Sequence, residues 1–268
     1  MLKKLSPVFS FTFEEPVWKI EVTPTASQLF LELRDADQHQ VQFAAVDLST
    51  ARLLWQHLRL DEPWWVTLAM ANERYLLLQS FTDTHNPEEK SSFAVAVDSQ
   101  EMVWKSDHFQ VIRLEDHQLF GYDVRDESRN LVQIRLPEGA VEPVDTTQKV
   151  GKGKNKDVRS PFFYSESQPY FTTVADFVES LDLPRPTGGC EYLEYGTYVC
   201  IAYYVPNENA NDAGLANYLL ILDQDGTILL HECLEVSVPK TGLGTFFIAR
   251  DQLIVVQHKL QLVSYALS

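Results

Sequence analysis

The chain has 268 residues, 45% hydrophobic and 12% aromatic, which is ample for a packed core and excludes a disordered protein. Its formal charge of −16 leaves too little clustered Lys and Arg to hold phosphates, so nucleic acid is not an expected partner. Three cysteines, at 190, 200 and 233, include no CxxC pair; they exclude a disulfide framework and a cysteine-built zinc site, and they suit a reducing compartment.

The amino terminus reads "MLKKLSPVFSFTFEEP". Lys3 and Lys4 could start a signal peptide, but the apolar run is broken by Pro7 and closed by Glu14 and Glu15. No apolar run approaches the roughly 18 residues that a membrane span requires. The expectation is a monomeric cytoplasmic chain without a membrane anchor.

From residue 17 onward, runs of four to eight residues rich in Val, Ile, Leu, Phe and Tyr alternate with turn residues, the pattern of short strands. They fall into groups at 17–57, 64–105, 109–146, 190–235 and 244–267. Within the first four groups the third and fourth strands are joined tightly, at Ser49-Thr50-Ala51, Ser99-Gln100, Pro137-Glu138-Gly139 and Gln224-Asp225-Gly226. The second and third strands are joined by longer polar loops: "RDADQHQ", "FTDTHNPEEKSS", "VRDESRN" and "VPNENANDAGLAN". A four-strand unit repeated every 40 to 50 residues is the pattern of propeller blades. One such sheet cannot bury both of its faces alone, so the apolar residues on both faces of the middle strands call for neighbouring sheets.

The last group shows three strands, and "VFSFTFEE" at 8–15 stands outside the first group. Pairing the first strand with the last sheet would close the ring and remove its edges. The expected fold is therefore all-β: one five-bladed propeller over residues 1–268, closed by the N-terminal strand. Residues 147–189 break the pattern. "KVGKGKNKDVR" reads as a basic surface loop, a linker or an electrostatic contact, and "QPYFTTVADFVESLDLPRP" as an inserted amphipathic helix. Phe171, Val174, Ala175, Val178 and Leu181 form its apolar face, which must lie on the sheets, as a plug or edge cover or to shape a pocket.

The stretch "FAAVDLSTARLLWQ" places Ala45, Asp47, Thr50 and Trp55 at the spacing A-x-D-x-x-T-G-x-x-x-W, with Ala51 in the glycine position. A second copy keeps Ala96, Asp98 and Trp104 with a turn two residues shorter; a third keeps Asp223 and Gly226 and puts His231 in the tryptophan's place. This resembles the repeat of quinoprotein-like, PQQ- and WD40-type β-propellers, and the whole chain resembles propeller families of unknown function. The resemblance implies that the tryptophan packs between blades and that the turn residues hold it. It does not carry the cofactor: the chain is short for a pyrroloquinoline quinone dehydrogenase and lacks the adjacent cysteine pair, so no cofactor is expected.

Several residues are candidates for chemistry. The long loops carry Asp35, Asp37, His39, Asp83, His85, Glu88, Glu89, Asp123, Asp126, Glu127, Glu208 and Asp212, but no D-x-D-x-D-G loop, so a solvated acidic rim is expected rather than a metal site. Glu21, Glu115, Glu191 and Glu194 lie on strands expected nearest the propeller axis and are the acids available for a carbohydrate-active or metal-dependent enzyme working in the channel. Trp64 and Trp65 are adjacent, so their rings should point to opposite faces, one packed between blades and the other free to stack on a sugar or anchor a partner. No nucleophile elbow occurs, and Cys200 lies in an apolar run that favours a buried, unreactive thiol. The function expected from the sequence is a non-enzymatic scaffold that binds an unidentified protein or small ligand, with these six residues as the ligand-binding candidates.

Overall fold

The computed structural model describes residues 4–81, 90–144, 157–207 and 214–267. The basic loop 149–156 and the acidic-loop residues Asp83, His85, Glu88, Glu89, Glu208 and Asp212 lie outside the described residues. In chain order the strands are β1 (Pro7–Thr12), β2 (Val17–Val22), β3 (Gln28–Asp35), β4 (Gln40–Asp47), β5 (Arg52–Leu58), β6 (Val66–Ala71), β7 (Tyr75–Phe81), β8 (Lys90–Ala96), β9 (Met102–Ser106), β10 (Phe109–Glu115), β11 (Gln118–Asp123), β12 (Val132–Arg135) and β13 (Ala140–Pro143). Then come β14 (Val158–Arg159), β15 (Phe162–Ser165), helix α1 (Pro169–Ser180), β16 (Gly189–Tyr195), β17 (Tyr198–Pro206), β18 (Leu215–Asp223), β19 (Ile228–Val238), β20 (Phe246–Ala249), β21 (Gln252–Gln257) and β22 (Gln261–Ala266). The protein is all-β with one helix among the described residues, in five antiparallel sheets of four or five strands.

The chain divides into two compact units, residues 15–156 and residues 1–14 with 157–268. The first unit holds three four-stranded meanders: β2-β3-β4-β5, β6-β7-β8-β9 and β10-β11-β12-β13. Their strands are short because each turn signal stops the pairing. Ala51, Gln100 and Gly139 take positive φ (54°, 59° and 70°) in the turns where the sequence placed tight connections. Period-two alternation sends successive residues of the middle sheet to opposite faces. Leu76, Leu78, Phe93 and Val95 pack with Phe30, Phe43 and Ala45 of the first sheet. Tyr75, Leu77 and Ala94 pack with Phe109, Val111 and Leu119 of the third.

The motif tryptophans stand at these seams. Asp47 Oδ1 accepts the N–H groups of Ser49 and Thr50 (2.7 and 2.9 Å), closing the turn before β5. Trp55 then lies against the core shared by the first two sheets, and its Nε1 donates to the Val97 carbonyl at 3.0 Å. Trp104 repeats the move toward the third sheet: it meets Phe109 edge-on at 5.9 Å, and a Cβ on Gly139 would sit 3.4 Å from its ring. In both cases the register slips immediately turn-ward of the tryptophan, after Ala45↔Trp55 and Ala94↔Trp104, a bulge that aims the ring.

The second unit holds two five-stranded sheets, β15-β16-β17-β18-β19 and β1-β22-β21-β20-β14. β1 pairs antiparallel with β22, from Pro7↔Tyr265 to Thr12↔Gln261, so the stretch at 8–15 supplies an outer strand to the last group. Two expectations are corrected. Residues 147–189 are not wholly outside the sheets, because β14 pairs with β20 and β15 with β16. These strands are two and four residues long, too short to show alternation in sequence. In the third motif copy, the same register slip follows Ile221↔Leu230, so Leu230 and not His231 holds the position of the tryptophans. Leu230 joins the core between the two sheets, while His231, one residue on, faces the other way and meets the Tyr203 hydroxyl at 2.8 Å.

Helix α1 covers the remaining face of the β15–β19 sheet. Phe171, Val174, Ala175 and Val178 pack on Cys190, Ile201, Tyr203, Leu220 and Leu222. Twelve residues are marginal for an isolated helix, so this packing holds it, at about 1.5–3 kcal/mol for each buried side chain of Val or Phe size. Pro169 begins the helix, where its missing N–H costs nothing. Asp182, at φ 59°, turns the chain out, and Arg185 folds back onto Asp176 (2.7 Å) and Glu179 (2.5 Å).

Candidate functional site

The apolar stripe that docks α1 is not the whole of its inner surface. Tyr170, Thr173, Val174 and Phe177, spaced at helical i, i+3, i+4 and i+7, line a cleft of ≈ 800 Å³ between the helix and the sheet. The opposite wall is Tyr164 from β15, Tyr192 and Glu194 from β16, and Val199 from β17; the turn Asp223–Gly226 closes one end. Tyr164 and Tyr170 lie 5.5 Å apart, tilted by 34°. Tyr170 is 67% exposed, a large aromatic surface turned to solvent.

Strand alternation decides which acids reach this cleft. Tyr192 and Glu194 share one face of β16, and the Tyr192 hydroxyl donates to Glu194 Oε1 at 2.5 Å. Burial, with the Glu194 carboxylate beside it, pushes the Tyr192 pKa up, so that phenol stays protonated. Glu191 points the other way and is buried; its two oxygens accept the backbone N–H groups of Gly244 and Thr245 (the latter at 2.8 Å). At the closing turn Asp223 Oδ1 accepts the N–H groups of Asp225 (3.0 Å) and Thr227 (2.8 Å), and Gly226, at φ 79°, donates to the Asp223 carbonyl at 3.0 Å.

The other sequence candidates are dispersed. Glu21 pairs with Lys19 at 3.0 Å, and Lys19 also reaches the Leu68 carbonyl at 2.6 Å. Glu115, exposed at the end of β10, pairs with Arg113 at 3.2 Å. Trp64 and Trp65 precede β6 rather than starting it, and both backbone N–H groups donate to Glu62 Oε1 (2.9 and 2.8 Å). Trp64 is half-buried, with Arg34 5.0 Å above its ring and His39 beside it; Trp65 is 49% exposed. Arg34 also stands 5.7 Å over Trp18, itself 70% exposed.

Three of the described acids of the long loops, Asp35, Asp123 and Asp126, are turn caps. Asp35 accepts the N–H groups of Asp37 and Gln38, both at 2.9 Å. Asp126 holds Ser128, and Arg125 holds the Asp123 carboxyl down at about 2 through hydrogen bonds at an exposed site. Among the described residues no three His, Cys, Asp or Glu side chains gather as metal ligands. Burial pushes the thiols of Cys190 and Cys200 up to about 12.

Sequence reasoning reached Glu194 and missed Tyr164, Tyr170, Phe177, Tyr192, Asp223 and Asp225. The available signal was the alternation "EYLEY", which sets Tyr192 and Glu194 on one face, and the second helical stripe Tyr170-Thr173-Phe177 beside the docking stripe.

A sequence profile of the family described as Domain of unknown function (DUF4905) matches residues 22–104, from the end of β2 to the second motif tryptophan. No curated protein matches the chain. Several solved structures are similar at low identity. A member of the DUF4221 family from Bacteroides vulgatus is 9% identical, covering 99% of this chain and 98% of its own, at a TM-score of 0.36. Oligogalacturonate lyase from Vibrio parahaemolyticus is 11% identical, covering 98% and 92%, at a TM-score of 0.32. The β-propeller domain of the Trilobed protease from Pyrococcus furiosus is 10% identical, covering 93% and 79%, at a TM-score of 0.33.

Proposed function

We propose that the chain is a single five-bladed β-propeller of the quinoprotein-like repeat type, closed through β1, that serves as a monomeric, non-enzymatic scaffold in the cytoplasm and binds a small ligand or a segment of a partner protein. The observation that carries the binding role is the cleft under α1, with aromatic walls, a volume of ≈ 800 Å³ and an open mouth edged by Tyr170. That volume lies within the range of about 300–1,000 Å³ that buries a drug-sized ligand. The strand order and the β1–β22 pairing favour the ring.

A carbohydrate-active reading through the four acids has less support. Glu191 spends both oxygens on backbone N–H groups, Glu21 and Glu115 each sit beside a base, and Glu194 is bound to Tyr192. The test is a fragment library screened by ligand-observed NMR against the wild type and Thr173→Trp, which fills the cleft from an exposed helix position. Hits in the wild type that vanish in the variant support the reading; hits that persist, or no hits, would overturn it.

A further inference from the structure

Resting on the reading of the cleft as a binding site, we infer that its ligand is a molecule bearing an alkylated ammonium group, seated among the tyrosine faces and neutralised by the cleft's carboxylates. The lining has four aromatic rings, from Tyr164, Tyr170, Phe177 and Tyr192, and three carboxylates, from Glu194, Asp223 and Asp225. No Lys, Arg or His is among the described lining residues.

Three hydrogen-bond donors of the turn and of β16 are already committed within the protein. The Tyr192 hydroxyl goes to Glu194, the Asp225 N–H to the Asp223 side chain, and the Gly226 N–H to the Asp223 carbonyl. Asp225 lines the cleft and is exposed, and its carboxylate makes no hydrogen bond or ion pair within the described residues. The acidic groups therefore present negative potential against aromatic faces, whose quadrupole also attracts cations.

The kind of cation follows from what the walls can offer. A hard metal ion needs six or more oxygen ligands, and among the described residues the three carboxylates of the cleft are not grouped closely enough to ligate one together. A primary ammonium keeps three strong donors that each need an acceptor, whereas an alkylated one is cheap to strip of water and offers methyl groups to Val174, Val199 and the ring faces. The chain's charge of −16 would draw such a cation in from solution.

The experiment titrates choline and its neutral isostere, 3,3-dimethylbutan-1-ol, into the full chain by NMR. The same titrations are made on Thr173→Trp and on Glu194→Gln/Asp225→Asn, with circular dichroism confirming that each variant is folded. The expected result is choline binding roughly tenfold tighter than the isostere, a preference lost in the double carboxamide variant, and no choline binding in Thr173→Trp. Equal binding of the two probes overturns the cation inference and leaves the cleft a binding site. Binding of neither probe also overturns it, and the fragment screen then decides whether the cleft binds at all. A choline preference unchanged in the variants places the cation elsewhere and overturns it as well.

Discussion

The two units join neighbouring sheets by a shared device and a differing one. The shared device is a buried glutamate on the second strand of a sheet that captures backbone N–H groups at the start of the next. Glu32 on β3 accepts the Leu68 N–H at 2.7 Å, the Thr67 hydroxyl at 2.8 Å and Arg34 Nε at 2.6 Å. Glu191 on β16 does the same for Gly244 and Thr245. The differing device is the filler behind the register slip. In residues 15–156, which contain all five tryptophans, it is an indole that reaches the next sheet's turn. In the other unit it is Leu230, too short to reach, and the polar link moves to Glu232, which accepts the Tyr265 hydroxyl at 2.7 Å and a Gln257 amide N–H. The seam thus needs volume, which an indole or a leucine supplies, and Trp55 in one unit and Glu232 in the other add a hydrogen bond. The face of the β15–β19 sheet next to α1 is packed by a helix, which leaves a cleft along its flank.

Removing the shared device should have the largest effect. Glu32→Ala removes the charge partner of Arg34, whose side chain is 15% exposed and keeps only the carbonyls of Trp64 and Val66, and leaves the Leu68 N–H buried without its acceptor. The expected loss is about 3–5 kcal/mol in urea unfolding. Glu191→Ala, which strands backbone donors but no charge, should cost less. An equal or reversed order would show that the pairing with Arg34 adds nothing to the first seam.

Next come the fillers. Trp55→Ala should cost about 3 kcal/mol and Leu230→Ala about 2–3 kcal/mol, in the range for emptied core positions. His231→Ala, one residue away, should leave the inter-sheet core intact. A Leu230→Ala cost no larger than that of a surface substitution would show that Leu230 does not fill the seam.

The smallest effect is one of pH. Burial holds the His231 imidazole below its ordinary 6.5. Above that pH the ring is neutral folded or unfolded, and its environment costs nothing. As pH falls from 6.5 through the folded-state value, the unfolded chain takes up the proton first, so stability is lost in that window. The urea midpoint of the wild type should fall more between pH 7.5 and 5 than that of His231→Gln, whose amide can still meet the Tyr203 hydroxyl. Parallel pH profiles would remove His231 from the account.

Much of this was legible in the sequence because its causes are local. Alternation of apolar residues, tight turns at Ala51, Gln100, Gly139 and Gly226, and the helical spacing of Phe171, Val174 and Val178 are each set by neighbours within a few positions. The cleft was legible only at Glu194 and at Val174, on the helix face expected to lie on the sheets or shape a pocket. Its other rings come from β15, too short to show a period, and from a helix stripe that reads as solvent-facing until the sheet is placed beneath it.

The amino-acid sequence by itself determined the strands, their grouping into meanders, the helix and the position of the two seam tryptophans. The tertiary structure alone decided which face each residue took. A turn one residue shorter than that between Asp47 and Arg52, with the same bulge after it, put Leu230 in the seam and His231 out of it. A three-residue step along β16 separated the buried anchor Glu191 from the cleft acid Glu194. Residues 158–159 and 162–165 became strands because edges distant in sequence were there to pair with them. Facing and pairing depend on register and partner, and those are settled only when the sheets meet.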